Sequence, residues 1–185
     1  MQMAATAAQM RQEGLDVINF TVGEPDFTTS AHICEAAKAA LDEGFTKYTP
    51  VSGTSDLKSA IQTKVKRDNN IDINSNQVLV SNGGKQSLYL ACQALFEKGD
   101  EVLIFSPYWV SYPEMVRLSD AEPIIVSTNT ENQYEPDFES LENKITPNVK
   151  GIIVNSPSNP TGAVWSDNAV KRVLDIAKLQ GWVVF

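Results

Sequence analysis

The chain has 185 residues, 42% of them hydrophobic and 21% charged, a composition that buries one sizeable core in an ordinary globular protein. Its formal net charge of −8 argues against nucleic acid or an anionic membrane as a general partner, while leaving room for a local basic pocket. No stretch reaches the roughly 18 continuous apolar residues of a membrane span and residues 1–10 lack the apolar core of a signal peptide, so a soluble, cytoplasmic chain is expected.

In chain order, the Ala-, Gln- and Met-rich residues 1–13 read as a helix closed by Gly14, and residues 17–22 alternate as a short strand broken by Gly23-Glu24-Pro25-Asp26. Ser30 is expected to cap a helix over 31–43, with Ile33, Ala36, Ala37, Ala40 and Leu41 on one face and Gly44 at its end. The sole histidine, His32, lies near its start with no constellation around it and is assigned no role. A loop from Phe45 to Gly53 leads to a helix marked by Leu57, Ala60, Ile61 and Val65 and closed by Asp68-Asn69-Asn70. Cys34 and Cys92 fall in helix-like apolar patterns without metal-ligand spacing, as buried, reduced thiols would.

From Gln77 the pattern becomes strand, glycine turn, helix, strand. Residues 78–80 read as a buried strand, Gly83-Gly84 as the turn, and Leu88, Ala91, Cys92 and Leu95 as one face of the next helix. Strands at 101–105, 123–126, 151–154 and 182–185 alternate with helices at about 111–118, 138–144 and 167–179, which implies an α/β chain with a mainly parallel sheet covered on both faces. The last strand ends without a flanking turn, so the chain is expected to stop inside its sheet.

The stretch Asn155-Ser156-Pro157-Ser158-Asn159-Pro160-Thr161-Gly162 ends an apolar strand with two prolines and a glycine, forming a rigid turn at a strand's carboxyl end. Open α/β sheets place ligands there, although turn chemistry alone fits an ordinary Pro/Asn turn as well. Gly83-Gly84-Lys85 between strand and helix offers backbone N–H groups and a helix dipole to a phosphate, or is simply a tight turn; it is neither a dinucleotide fingerprint nor a P-loop.

With the Asn155 to Gly162 turn, the stretches Val22-Gly23-Glu24-Pro25-Asp26-Phe27, Lys47-Tyr48-Thr49-Pro50 leading to Gly53, Gly83-Gly84-Lys85-Gln86, and Ser106-Pro107-Tyr108-Trp109-Val110-Ser111-Tyr112-Pro113 stand in an order that resembles one family. That family is the class I pyridoxal-phosphate-dependent aminotransferases, and the resemblance is nearest to bacterial aspartate aminotransferases. It implies the fold type I three-layer sandwich, with residues 1–30 in the small domain and 31–185 in the amino-terminal part of the large, cofactor-binding domain.

The resemblance also implies roles. The N–H groups at Gly83, Gly84 and Lys85 would hold the phosphate of pyridoxal 5'-phosphate, Trp109 would stack on its ring and contact substrate, and Asn159 would donate to the ring's phenolic oxygen and help bind substrate. Gly23 would bind the substrate α-carboxylate through its backbone. Tyr48 would reach the phosphate of a neighbouring subunit, implying a homodimer with shared active sites. Lys85 would contact the side-chain carboxylate of a dicarboxylic substrate, or serve only as a phosphate counter-charge. The substrates would be amino acids and 2-oxo acids, foremost aspartate and 2-oxoglutarate.

The family places its Schiff-base lysine, the acid partner of the pyridine nitrogen and the substrate-binding arginine beyond Phe185, so no catalytic residue is assigned here and the chain alone is expected to be inactive. The alternatives are a non-catalytic dimerising or phosphate-binding chain, an aromatic or alanine aminotransferase, and a carbon–sulfur lyase.

Overall fold

Alanine and unbranched side chains make the first helix, α1 (Gln2–Gln12), and Gly14 at φ +86° turns the chain out of it. The computed structural model describes residues 2–18, 23 and 25–185, in two compact units, Met1–Thr49 and Pro50–Phe185. The strand expected over 17–22 falls mostly outside the described residues; Val17 and Ile18 are irregular.

In the first unit, α2 (Ala31–Asp42) begins after Ser30, but the Ser30 hydroxyl makes no cap hydrogen bond. Its carbonyl accepts the N–H groups of Ile33 and Cys34 instead, at 3.0 and 3.2 Å, which corrects the expected side-chain cap. No residue of α2 is buried: Ile33 and Leu41 stay 52% and 64% exposed, so the periodic face has no partner among the described residues. Cys34 is only half-buried, contrary to expectation, and its thiol donates to the Thr29 carbonyl at 3.7 Å.

The second unit opens with a turn in which Gly53, at φ +99°, lies so close to Val80 that an added Cβ would fall 2.5 Å from Val80 Cγ2. The helix α3 (Ser55–Asn69) follows, its start capped by the Thr54 hydroxyl accepting from the Leu57 N–H and its end turned by Asn70 at φ 53°. A strand at 78–80 does not form. Val78 is extended, but the Val80 N–H donates to the Ser52 carbonyl in the facing loop rather than to a ladder, and strand identity depends on a partner as much as on β-branched residues.

The remaining elements fall within a residue or two of their expected limits. They are α4 (Gly83–Leu95), β1 (Glu101–Ser106), α5 (Ser111–Arg117), β2 (Glu122–Ser127), α6 (Phe138–Glu142), β3 (Val149–Ile153), α7 (Asp167–Gln180) and β4 (Val183–Val184). The four strands pair in parallel in the order β2-β1-β3-β4.

Alternation along the strands divides the core in two. Leu103 and Phe105 of β1, Val126 of β2 and Ile152 of β3 pack with Leu141 of α6 and Ala169, Val173 and Ala177 of α7. Val102 and Ile104 of β1 and Ile153 of β3 point the other way, onto Cys92 of α4, Phe96, and Tyr112, Met115 and Val116 of α5. Both faces are therefore covered, as a parallel sheet requires. Burial pushes the Cys92 thiol pKa up and keeps it protonated, whereas Leu95, expected on the same buried face, is 49% exposed. Gly151 leaves room for the Phe96 ring, which an added Cβ would approach to 2.5 Å. No helix among the described residues is long and apolar enough to cross a membrane.

The chain leaves β1 for β2 on one side, then crosses back to β3 on the other. The strand order thus reverses between β1 and β3, and a crevice opens beyond the carboxyl ends of such neighbours.

Candidate active site

The crevice is there. Ser106 at the end of β1 with Pro107 and Tyr108 after it, Thr128 after β2, and Asn155, Ser158 and Asn159 after β3 line it. Its enclosed space is about 20 Å³, room for a water, so any larger ligand lies across its mouth. The Thr128 hydroxyl donates to the Ser106 carbonyl at 2.6 Å and ties the first two strand ends together.

The turn after β3 spends most of its polar groups on itself. Asn155 Oδ1 accepts the Asn159 N–H at 2.7 Å, and Asn155 Nδ2 donates to the Pro157 carbonyl at 3.2 Å. The Ser156 hydroxyl accepts the Trp165 N–H at 2.9 Å, and the Thr161 hydroxyl accepts the Ala163 N–H at 3.2 Å. Ser158 and Gly162 close a backbone loop, with Gly162 at φ +73°. The peptide bonds before Pro107, Pro157 and Pro160 are cis. The side-chain amide of Asn159 is exposed and makes no hydrogen bond among the described residues, so of the turn's two asparagines one builds the loop and the other is free for a ligand.

Trp165, which the sequence reading did not single out, fixes this turn from behind. Its ring is buried, meets Phe105 edge-on at 4.8 Å, and donates from Nε1 to the Tyr134 carbonyl at 2.9 Å. The signal was available: Trp165 and Val170 flank the Ser166 N-cap of α7 at staple spacing, and Val170 packs on the same core.

The same loop reaches the helix start, where the Ser166 N–H donates to Glu135 Oε1 at 2.6 Å. This backbone bond, and then the Ser166 side chain, holds the Glu135 carboxyl below the usual carboxylate range. A folded pKa below the unfolded one gives stability that is present above the unfolded value of about 4.3 and is lost as pH falls through the folded one. Glu135→Gln is therefore expected to lower the Tm at neutral pH, with the gap to wild type closing below pH 4; thermal melts across pH 3–7 measure it.

The Gly83-Gly84 pair is not a turn ahead of the helix, as expected from sequence, but its first turn: α4 starts at Gly83 after Asn82. The Gly83 N–H returns to the Ser81 carbonyl at 2.9 Å, while the following first-turn N–H groups have no partner inside any helix. The Gln86 side chain accepts the Asn82 N–H at 2.6 Å and steadies the start. A Cβ on Gly83 or Gly84 would meet nothing within 4 Å, so the space over this helix end is open, and its first turn holds Lys85 and no acid. The adjoining Ser81 hydroxyl is buried without a hydrogen-bond partner among the described residues. These features suit a phosphate dianion.

Lys85 and Trp109 come together, the ammonium 4.9 Å from the ring centroid. Trp109 in turn meets Tyr112 edge-on at 5.4 Å, and Tyr112 lines the crevice with Asn159. Burial pushes the Tyr112 phenol pKa up and keeps it neutral. The helix start, Lys85, Trp109 and Asn159 thus share the second unit. Gly23 and Tyr48 belong to the first; a Cβ on Gly23 would meet nothing within 4 Å, and the Tyr48 side chain is fully exposed.

The family model for aminotransferases of class I and II matches residues 15–185. The probable aspartate/prephenate aminotransferase of Rickettsia bellii (strain RML369-C) is 46% identical over 175 residues, 95% of this chain and 44% of that protein. The aspartate aminotransferase of Bacillus subtilis (strain 168) is 42% identical over 176 residues, 95% of this chain and 45% of that protein. The solved structure of Thermus thermophilus aspartate aminotransferase with maleate superposes with a TM-score of 0.91 at 41% identity, covering 98% of this chain and 47% of that one. The chain spans less than half the length of the curated relatives it matches.

Proposed function

Because the chain belongs to the class I and II aminotransferases, we propose that the full-length protein carrying it transfers the amino group between L-aspartate and 2-oxoglutarate with pyridoxal 5'-phosphate. The observation that carries the reading is the free Asn159 amide at a crevice connected, through Tyr112 and Trp109, to a cationic helix start. When bound, pyridoxal phosphate supplies an electron sink for the charge left when a substrate loses its α-proton.

The chain's own residues bind and orient. First-turn N–H groups at Gly84 and Lys85, with the positive end of the helix dipole, hold the phosphate, joined by the Gly83 turn that brings them there. Trp109 offers a flat indole to the ring and a contact to substrate, and the Asn159 amide donates to an oxygen that carries negative charge. The Gly23 backbone takes the substrate α-carboxylate, and the exposed Tyr48 serves the phosphate of a second copy in a homodimer. Lys85 selects a second carboxylate on the substrate. Maleate, bound in the Thermus structure, is such a dicarboxylate, and so is prephenate, named for the Rickettsia relative. The compartment proposed is the cytoplasm, where the free thiols of Cys34 and Cys92 stay reduced.

The test is an assay of the full-length protein with pyridoxal phosphate, aspartate and 2-oxoglutarate, following oxaloacetate by its reduction with NADH and malate dehydrogenase. Cofactor-dependent oxaloacetate formation is expected. Turnover of alanine or aromatic amino acids without turnover of aspartate would contradict the substrate assignment.

A further inference from the structure

The Lys85 ammonium rests over the Trp109 ring and makes no hydrogen bond or ion pair with any described residue. The ring beneath it is fixed: Trp109 meets Tyr112 at an interplanar angle of 88°, and Tyr112 is buried among Cys92, Met115 and Val116. The indole is thus a platform anchored to the core, carrying a cation whose three N–H donors are unspent.

We infer that Trp109 is a specificity-determining residue, whose indole holds the Lys85 ammonium ready for the second carboxylate of a dicarboxylic substrate. The inference rests on the reading of Lys85 above and gives Trp109, proposed to meet both the cofactor ring and substrate, a further part in holding that lysine. A free lysine head samples many rotamers and gives them up on binding. Attraction to the ring quadrupole narrows that sampling without consuming a donor, so an arriving carboxylate meets a positioned cation. An indole has two faces, and an ammonium on one leaves the other for an aromatic ring.

The experiment measures kcat/KM for aspartate and for alanine in the full-length holoenzyme and in Trp109→Leu, Trp109→Phe, Lys85→Ser and the Lys85→Ser/Trp109→Leu double variant. Lost ring stacking slows both substrates alike and cancels in the aspartate-to-alanine ratio; a lost lysine platform lowers aspartate alone. Trp109→Leu is expected to lower the ratio about two- to fivefold, the worth of an exposed cation–π contact. Trp109→Phe keeps more of it, and in the Lys85→Ser background Trp109→Leu leaves the ratio unchanged.

An unchanged ratio in Trp109→Leu, with Lys85→Ser still lowering it, overturns the inference and leaves the reading of Lys85 standing. A ratio unmoved by Lys85→Ser overturns that reading and the inference together. An equal fall with and without Lys85 shows the indole touching the dicarboxylate directly, which also overturns the inference. If Trp109→Leu does not fold or retain cofactor, Trp109→Tyr and Trp109→Phe decide: a ratio below wild type in both supports the platform, and a flat ratio removes it.

Discussion

Trp165→Ala is expected to destabilise the protein by about 3–5 kcal/mol, the range for truncating a buried large aromatic. The ring is 6% exposed, packs edge-on against Phe105 of the central strand, and is the donor to the Tyr134 carbonyl across 31 residues of chain. A loss of that size removes much of the roughly 5–15 kcal/mol by which a folded domain exceeds its unfolded state. Trp165→Phe keeps a ring against Phe105 but leaves the Tyr134 carbonyl unpaired, so a smaller loss of about 1–3 kcal/mol follows. Chemical denaturation of both variants measures the difference. Equal losses would mean that ring packing against Phe105 contributes nothing and that the indole N–H to the Tyr134 carbonyl carries the whole effect.

Lys85→Ser is expected to reduce kcat/KM for aspartate roughly ten- to hundredfold in the full-length enzyme, because a charge-assisted contact worth about 1.5–3 kcal/mol disappears. Alanine and aromatic substrates, with no second carboxylate, change much less. Equal loss for all substrates, accompanied by weaker cofactor binding, would assign Lys85 to the phosphate instead. The ammonium's position over Trp109, free of any acidic partner among the described residues, favours the substrate role.

The alternation of strands and helices was legible because it is written in local periods. Leu103 and Phe105 face one layer and Val102 and Ile104 the other, and glycines such as Gly99 and Gly181 mark the ends of elements at positive φ. What local pattern could not carry was partnership. Val78 and Val80 are β-branched and Val78 is extended, yet the Val80 N–H is taken by Ser52, so no strand exists there. Ser30 stands at a cap position, but the orientation of one hydroxyl is not encoded in residue type.

The candidate site divides the same way. The Pro/Asn turn and the Gly83-Gly84 pair are local and could be read directly from their residue types. Which asparagine of that turn is spent internally depends on the fold of the loop, and Asn155 and Asn159 differ only there. Trp165 and Tyr134 meet from distant segments, as do Lys85 and Trp109, and neither pairing has a spacing that names it.

We propose that the start of α4, Trp109 and Asn159 together receive pyridoxal phosphate. A crystal structure of the full-length protein grown with pyridoxal phosphate and the unreactive dicarboxylate maleate tests it most directly. The phosphate is expected within hydrogen-bond distance of the Gly84 and Lys85 N–H groups, the ring against the Trp109 indole, the Asn159 amide donating to a ring oxygen, and a maleate carboxylate at Lys85 Nζ. Pyridoxal phosphate bound away from the start of α4, with Asn159 and Trp109 untouched, would contradict it.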